Sequence, residues 1–287
     1  MEAIIFALIA FVGWGVGDLL VAITARRIES FSGSFWSMFL TVILFSPYAF
    51  SRIEDLSNLT LPLLLLNLFL GVILIGGIMA FREGFRIGNV ALVGTIGSAF
   101  TVLTTIFGIL FFNERLTIPQ TITIMAIFIG LFLAMFNIQE VIKRKIAINR
   151  ALLLALIAMI TWGIYFAFIK IPIQEIGWFW PNYITFMLFP LLYIVMRIRH
   201  LPLLPITTNN AFIPLIISTL TARVAEFSFN IGISKGFISI VAPIAGASPV
   251  LLVILAFIFF KDPITKQQFL GITTTLVGIV LLSLFSV

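Results

Sequence analysis

The sequence predicts an all-α integral membrane protein, with ten transmembrane helices arranged as two inverted five-helix repeats around a central cavity. Three observations carry that expectation. Of the 287 residues, 61% are hydrophobic and 10% charged, and the mean hydropathy is +1.23; a soluble domain carries roughly a quarter charged residues because its surface faces water. Ten apolar runs, each about as long as a bilayer-spanning helix, follow one another along the chain. One gap-free shift also lays the second half of the sequence on the first.

The first run, 3–23, follows Glu2 rather than a positive segment and is too long for a secretory leader, so it reads as a true span. Arg26-Arg27-Ile28-Glu29 separates it from 31–50, and Arg52-Ile53-Glu54-Asp55 precedes 61–81. Runs 88–112 and 117–137 flank Asn113-Glu114-Arg115. A polar connection from Asn137 to Asn149, holding Lys143-Arg144-Lys145, divides the chain near its middle. The runs 150–171, 179–197, 209–233, 237–260 and 265–286 follow. Tight turns are expected at Gly84–Gly88 and Gly232–Gly236. Helices suit these runs because each satisfies its own backbone hydrogen bonds where the solvent offers none. A membrane barrel would show short alternating segments instead.

Trp14-Gly15 recurs as Trp162-Gly163, an offset of 162 − 14 = 148. The same offset pairs Gly84 with Gly232, Thr117 with Thr265, Gln120 with Gln268 and Gly130 with Gly278. The units are therefore placed at 1–139 and 149–287. Each holds five spans, an odd number, so the second enters the membrane from the opposite side. Inverted repeats are a signature of secondary transporters, with the solute site near the midplane between the halves.

The chain has 17 Lys+Arg against 11 Asp+Glu. No basic groove or zinc motif accompanies the excess, so nucleic acid is not an expected partner. Membrane topology accounts for it better. Arg26, Arg27, Arg82, Arg86, Lys143, Arg144, Lys145, Arg150, Arg197, Arg199, Lys261 and Lys266 fall on one side of the spans, and Arg52, Arg115, Lys170 and Lys235 on the other. The positive-inside rule puts the richer side in the cytoplasm and both termini outside, in the cell membrane.

Several chemistries are disfavoured. No cysteine is present, and the lone His200 sits in a polar connection. Gly13-Trp-Gly-Val-Gly17 lacks the strand and βαβ frame of a dinucleotide loop, and no Walker sequence occurs. Neither a cofactor nor an enzymatic activity is expected.

An ionisable group within a span costs roughly 2.5–3.5 kcal/mol near the centre, so it usually faces a partner or a cavity. In span eight, Thr219, Arg223, Glu226, Asn230 and Ser234 recur every three or four residues, which puts them on one face. That stripe is expected to line the solute path; Arg223 and Glu226, at i and i+3, also suit an internal ion pair. Asp18 lies one turn beyond Trp14 and is a candidate for binding or proton coupling, or for a structural partner of Arg82 or Arg86. Trp14, Trp162 and Tyr165 are candidate apolar walls of the cavity, with the two tryptophans open also to a role as packing anchors. Arg82 and Glu83 read as a solvated helix end, and Glu114 and Asp262 as structural residues beside loops. Small residues at Gly94, Gly97, Ser98 and Thr101 would let helices approach closely, and Pro243 and Pro249 would kink span nine.

With two five-span repeats, a Trp-Gly in the first span of each and Asn113-Glu114-Arg115-Leu116-Thr117 closing the fourth, the whole chain resembles the EamA-like family of the drug/metabolite transporter superfamily. The second copy reads Lys261-Asp262-Pro263-Ile264-Thr265, with Asp where that family usually has Glu. The resemblance implies a ten-helix inverted-repeat fold and export or exchange of amino acids or related metabolites. Expected partners are a small-molecule substrate and the lipid bilayer, with proton or counter-substrate coupling open. A lipid-linked solute flippase and, less favoured, a channel are the alternatives.

Overall fold

The computed structural model describes residues 1–25, 27–87, 93, 96–135, 150–260 and 264–286. Expectations falling on Arg26, Gly88, Gly94, Lys143, Arg144, Lys145, Lys261 and Asp262 lie outside the described residues. Among the described residues the longer α-helices are α1 (Glu2–Ala25), α2 (Ser30–Ser51), α3 (Leu61–Ile87), α4 (Phe100–Phe111), α5 (Ile118–Met135), α6 (Arg150–Phe168), α7 (Lys170–Ile176), α8 (Trp180–Phe186), α9 (Phe189–Ile198), α10 (Phe212–Lys235), α11 (Ile238–Ala245), α12 (Ser248–Phe260) and α13 (Lys266–Phe285). Two short 3-10 turns, Ile53–Asn58 and Thr208–Asn210, are also present, and no strand occurs among the described residues.

Nine helical stretches among the described residues are long and apolar enough to cross a membrane. The remaining expected span, 88–112, is described mainly from Ile96, where an apolar helix shorter than a span runs to Phe111. Several spans are broken where the sequence forbids a regular helix. Span six passes from α6 to α7 and stops at Gly177, whose φ of +77° needs a residue without Cβ. Span seven breaks at Met187-Leu188, just ahead of Pro190, and span nine breaks at Gly246-Ala247 after Pro243. Gly84 and Gly232 are not in turns as expected. Each lies inside a helix that continues for three residues, and its missing side chain admits a neighbouring backbone.

Three pairings organise the bundle: α1 along α10, α3 along α6 and α5 along α13. Shifted by 148 residues, the first pairing becomes the second. The contacts repeat in detail. A Cβ at Gly15 would come 2.8 Å from the Leu251 Cβ, and one at Gly163 would come 2.7 Å from the Leu103 Cβ; 251 − 148 is 103. Gly232 faces Val241 and the Ala3 carbonyl, while Gly84 faces Val93 and the Ala151 carbonyl, again the same shift with the halves exchanged.

The third pairing joins the last long helix of each half. Gln120, at the start of α5, donates to the Phe285 carbonyl at the end of α13 (3.1 Å), and Gln267, at the start of α13, donates to the Leu133 carbonyl near the end of α5 (3.0 Å). The two helices therefore run antiparallel. Their matched Thr and Gln residues also have a local purpose. Thr117 with Gln120 and Thr265 with Gln268 each exchange side-chain and backbone hydrogen bonds in a capping box.

The largest core gathers α1, α6, α10 and α11 around Tyr165, Phe166, Phe229 and Ile238. Large apolar side chains such as Leu65, Phe69, Ile122, Phe269 and Val280 remain exposed on the outer faces, as a lipid-facing surface requires.

Candidate functional site

The polar stripe of α10 turns inward. Thr219 and Asn230 are 1% exposed and Arg223 8%, Glu226 is half-buried, and Ser234 is exposed near the helix end. Helical spacing had placed these residues on one face; packing of α1 and α2 against α10, with Asn182 and Phe186 of α8 set against it, buries it.

Arg223 Nη1 lies 2.8 Å from Glu226 Oε2. The expected i,i+3 pair is present, but its N–H directions miss the carboxylate, and the buried Nε and Nη1 have no hydrogen-bond acceptor. The guanidinium carbon instead stands 3.9 Å from the centroid of the Phe186 ring, a cation–π contact. Glu226 accepts a long hydrogen bond from Asn182 Nδ2 (3.4 Å). Asn182 Oδ1 accepts from the Tyr165 hydroxyl (3.1 Å) and from Asn230 Nδ2 (2.8 Å), and the same Asn230 nitrogen donates to the Trp178 backbone carbonyl (2.8 Å). Tyr165, Arg223, Glu226 and Asn230 thus meet in one buried network, joined through Asn182. That asparagine is missed by sequence reasoning because it lies in the short helix α8, where no polar stripe marks it.

Two cavities of about 70 and 90 Å³ adjoin the network, and both are lined by Ser37, Arg82 and Arg223. Thr185, Phe186 and Leu74 close one, and Thr24, Ser218 and Thr219 close the other. Arg82 corrects the expectation of a solvated helix end. The α3 helix runs five residues past it, and Arg82 folds back to donate to the Ser30 carbonyl at the start of α2.

Trp14, Trp162 and Asp18 are not brought to these cavities. Trp14 packs against Phe166 and Phe229, with ring centroids 5.4 Å away in each case. Trp162 packs against Phe81 and Phe100 at 4.8 and 5.7 Å, and its Nε1 is buried without an acceptor. Asp18 is exposed, yet it shares its helix face with the buried Phe11 and the half-buried Trp14. The lipid-type face of α1 carries Ile5, Leu8, Ile9 and Val12, so Asp18 opens on the interior side, one turn before the cavity residue Val21.

The glycines around Trp14 serve packing. A Cβ at Gly13 would lie 2.8 Å from the Ala225 Cβ, which explains the close approach of α1 to α10. On the side of the bundle holding Arg52 and Glu114, aromatic rings fill the interior. Phe227, one turn beyond Arg223, meets Phe45, Trp178 and Phe179 at 5.1–5.6 Å. The cavities thus extend toward the arginine-rich end of the molecule and are stoppered toward the other.

No group of three or more metal-ligating side chains occurs among the described residues.

Comparison with known proteins agrees with this architecture. The EamA-like transporter family matches residues 1–136 and again 149–284. An uncharacterized protein of Methanocaldococcus jannaschii is 27% identical over 139 residues, which are 47% of this chain and 98% of that protein. The whole of that relative thus corresponds to about half of this chain. A solved crystal structure of another protein superimposes with a TM-score of 0.78 over 100% of this chain and 99% of its own, at 14% identity, a likeness of fold alone.

Proposed function

The chain belongs to the EamA-like transporter family, and from that membership we propose that it is a secondary carrier, an exporter or exchanger, of a small metabolite such as an amino acid or related amphiphilic solute. As a family member with many apolar helices it is an integral, multi-pass membrane transporter of the drug/metabolite type. In the proposed arrangement ten spans form two inverted repeats. The antiparallel run of α5 and α13, and contacts that recur with the halves exchanged, support it. Two halves of opposite direction can exchange roles, so outward-open and inward-open states are built from one set of contacts.

Arg223 carries the reading. Its guanidinium is paired with Glu226 at 2.8 Å yet borders a cavity within the membrane-spanning helices, where its remaining donors are without a partner among the described residues and a buried polar group left so is costly. It can receive a carboxylate, while Glu226 or Asp18 offers a counter-charge for an amine. Termini outside the cell membrane, and coupling to a proton or a counter-substrate, complete the proposal.

The test is reconstitution in proteoliposomes. Saturable counterflow of a labelled metabolite is expected from a carrier. Flux that rises linearly with concentration, with no counterflow, would identify a channel.

A further inference from the structure

We infer that the space between Arg82 and Arg223 is an oxyanion subsite, taking the carboxylate or phosphate group of an organic acid, and that an amine on the substrate contributes nothing there. The inference rests on the carrier reading and specifies its substrate class. Two cations from different helices, α3 and α10, line both cavities, whereas no carboxylate among the described residues lines either. Glu226 lines neither cavity; it pairs with Arg223 (2.8 Å) and accepts from Asn182 (3.4 Å), which leaves Arg82 and the far side of the Arg223 guanidinium toward the space. Glu29 interacts electrostatically with Arg82, but its carboxylate is occupied at the start of α2, where it accepts from the backbone N–H and hydroxyl of Ser32.

The remaining donors agree. Apart from its 2.8 Å ion pair with Glu226, Arg223 has no hydrogen-bonding partner among the described residues, although its side chain is 10% exposed. Ser37 accepts from the Thr219 hydroxyl (3.0 Å), which leaves its own proton to point elsewhere. Ser34 and Thr185, by contrast, spend their protons on carbonyls of their own helices. A guanidinium fork and a hydroxyl donor converging on a volume of about 70–90 Å³ suit an oxyanion headgroup. Charge-assisted bonds from arginine favour planar or tetrahedral oxyanions over halides, because the fork matches two oxygens at once.

The purified full-length chain in neutral detergent provides the test. Its thermal midpoint is followed against inorganic phosphate, succinate or methylammonium, with chloride keeping ionic strength constant. A saturable rise is expected with phosphate or succinate and none with methylammonium. Arg223→Gln and Arg82→Gln should each weaken anion binding by about tenfold or more, the scale of a lost charge-assisted bond. Ser37→Ala should weaken it several-fold, and keeps the question answerable if an arginine variant does not fold. Absence of a saturable effect from either anion, or an unchanged effect in Arg82→Gln and Ser37→Ala, would overturn the subsite. A rise produced by phosphatidylglycerol micelles but by neither soluble anion would assign the site to a lipid headgroup and overturn the soluble substrate class. Binding is read here without transport. Intact binding with no counterflow would therefore sink the carrier reading and leave the subsite standing.

Discussion

Glu114 and Lys170 form a buried ion pair, Nζ to Oε1 2.6 Å, that joins the end of α4 to the start of α7. The same carboxylate accepts from the backbone N–H groups of Ile238 and Ser239, both at 2.8 Å, and from the Ser239 hydroxyl at 2.6 Å. One side chain therefore caps α11, the first segment of the broken ninth span, and satisfies a cation that has few other places to go. The acidic position that resembles a family motif is, in this fold, a joint between the two halves.

Removing Glu114 should leave the Lys170 ammonium and two helix N–H groups buried together. Glu114→Ala is expected to cost about 3–5 kcal/mol, the range for breaking a buried pair, and to lower the thermal midpoint in detergent sharply. Lys170→Met should cost less, because the carboxylate keeps its backbone donors. A midpoint unchanged by Glu114→Ala would show that the cap carries no stability.

Transport should depend on Arg223 beyond any effect on folding. Arg223→Ala is expected to elute as the wild type does in gel filtration and to reduce counterflow at least tenfold, in line with the loss of a charge-assisted contact. Full amino-acid or organic-acid flux in the variant would remove Arg223 from the solute path.

Gly15 and Gly163 should respond alike to substitution. A Cβ at either meets a leucine Cβ at under 3 Å, so Gly15→Ala and Gly163→Ala should each destabilise by about 1–3 kcal/mol through overpacking. Thermal unfolding of both variants checks it. A neutral result at one position beside a severe one at the other would break the equivalence of the two interfaces.

Sidedness can be read on a chain that has no cysteine of its own. With termini outside, Ser57→Cys should react with an impermeant maleimide in intact cells, and Arg199→Cys only after permeabilisation. The reverse labelling pattern would invert the orientation taken from the Lys and Arg distribution.

The stripe on α10 was legible because a helix repeats every three or four residues, and polar groups at that spacing in an apolar run have no local explanation. Arg82 was misplaced for a related reason. Sequence locates a charge along a helix, but not whether the helix continues or which way a long side chain folds. Asn182 gave no signal, since its partners Tyr165, Glu226 and Asn230 come from two other helices. Trp14 and Trp162 were correctly matched to each other, yet matching says nothing about whether a ring faces solute or neighbouring rings.

Composition, span length and the 148-residue shift determined the membrane class, the helical spans and the kinship of the two halves, because each follows from hydropathy and periodicity along one chain. The tertiary structure alone decided that α5 and α13 pack side by side, that Glu114 caps a helix of the other half, and that Arg82 and Arg223 border the same cavities. Those facts depend on distances between residues far apart in the chain, and close packing, rather than any local pattern, sets such distances.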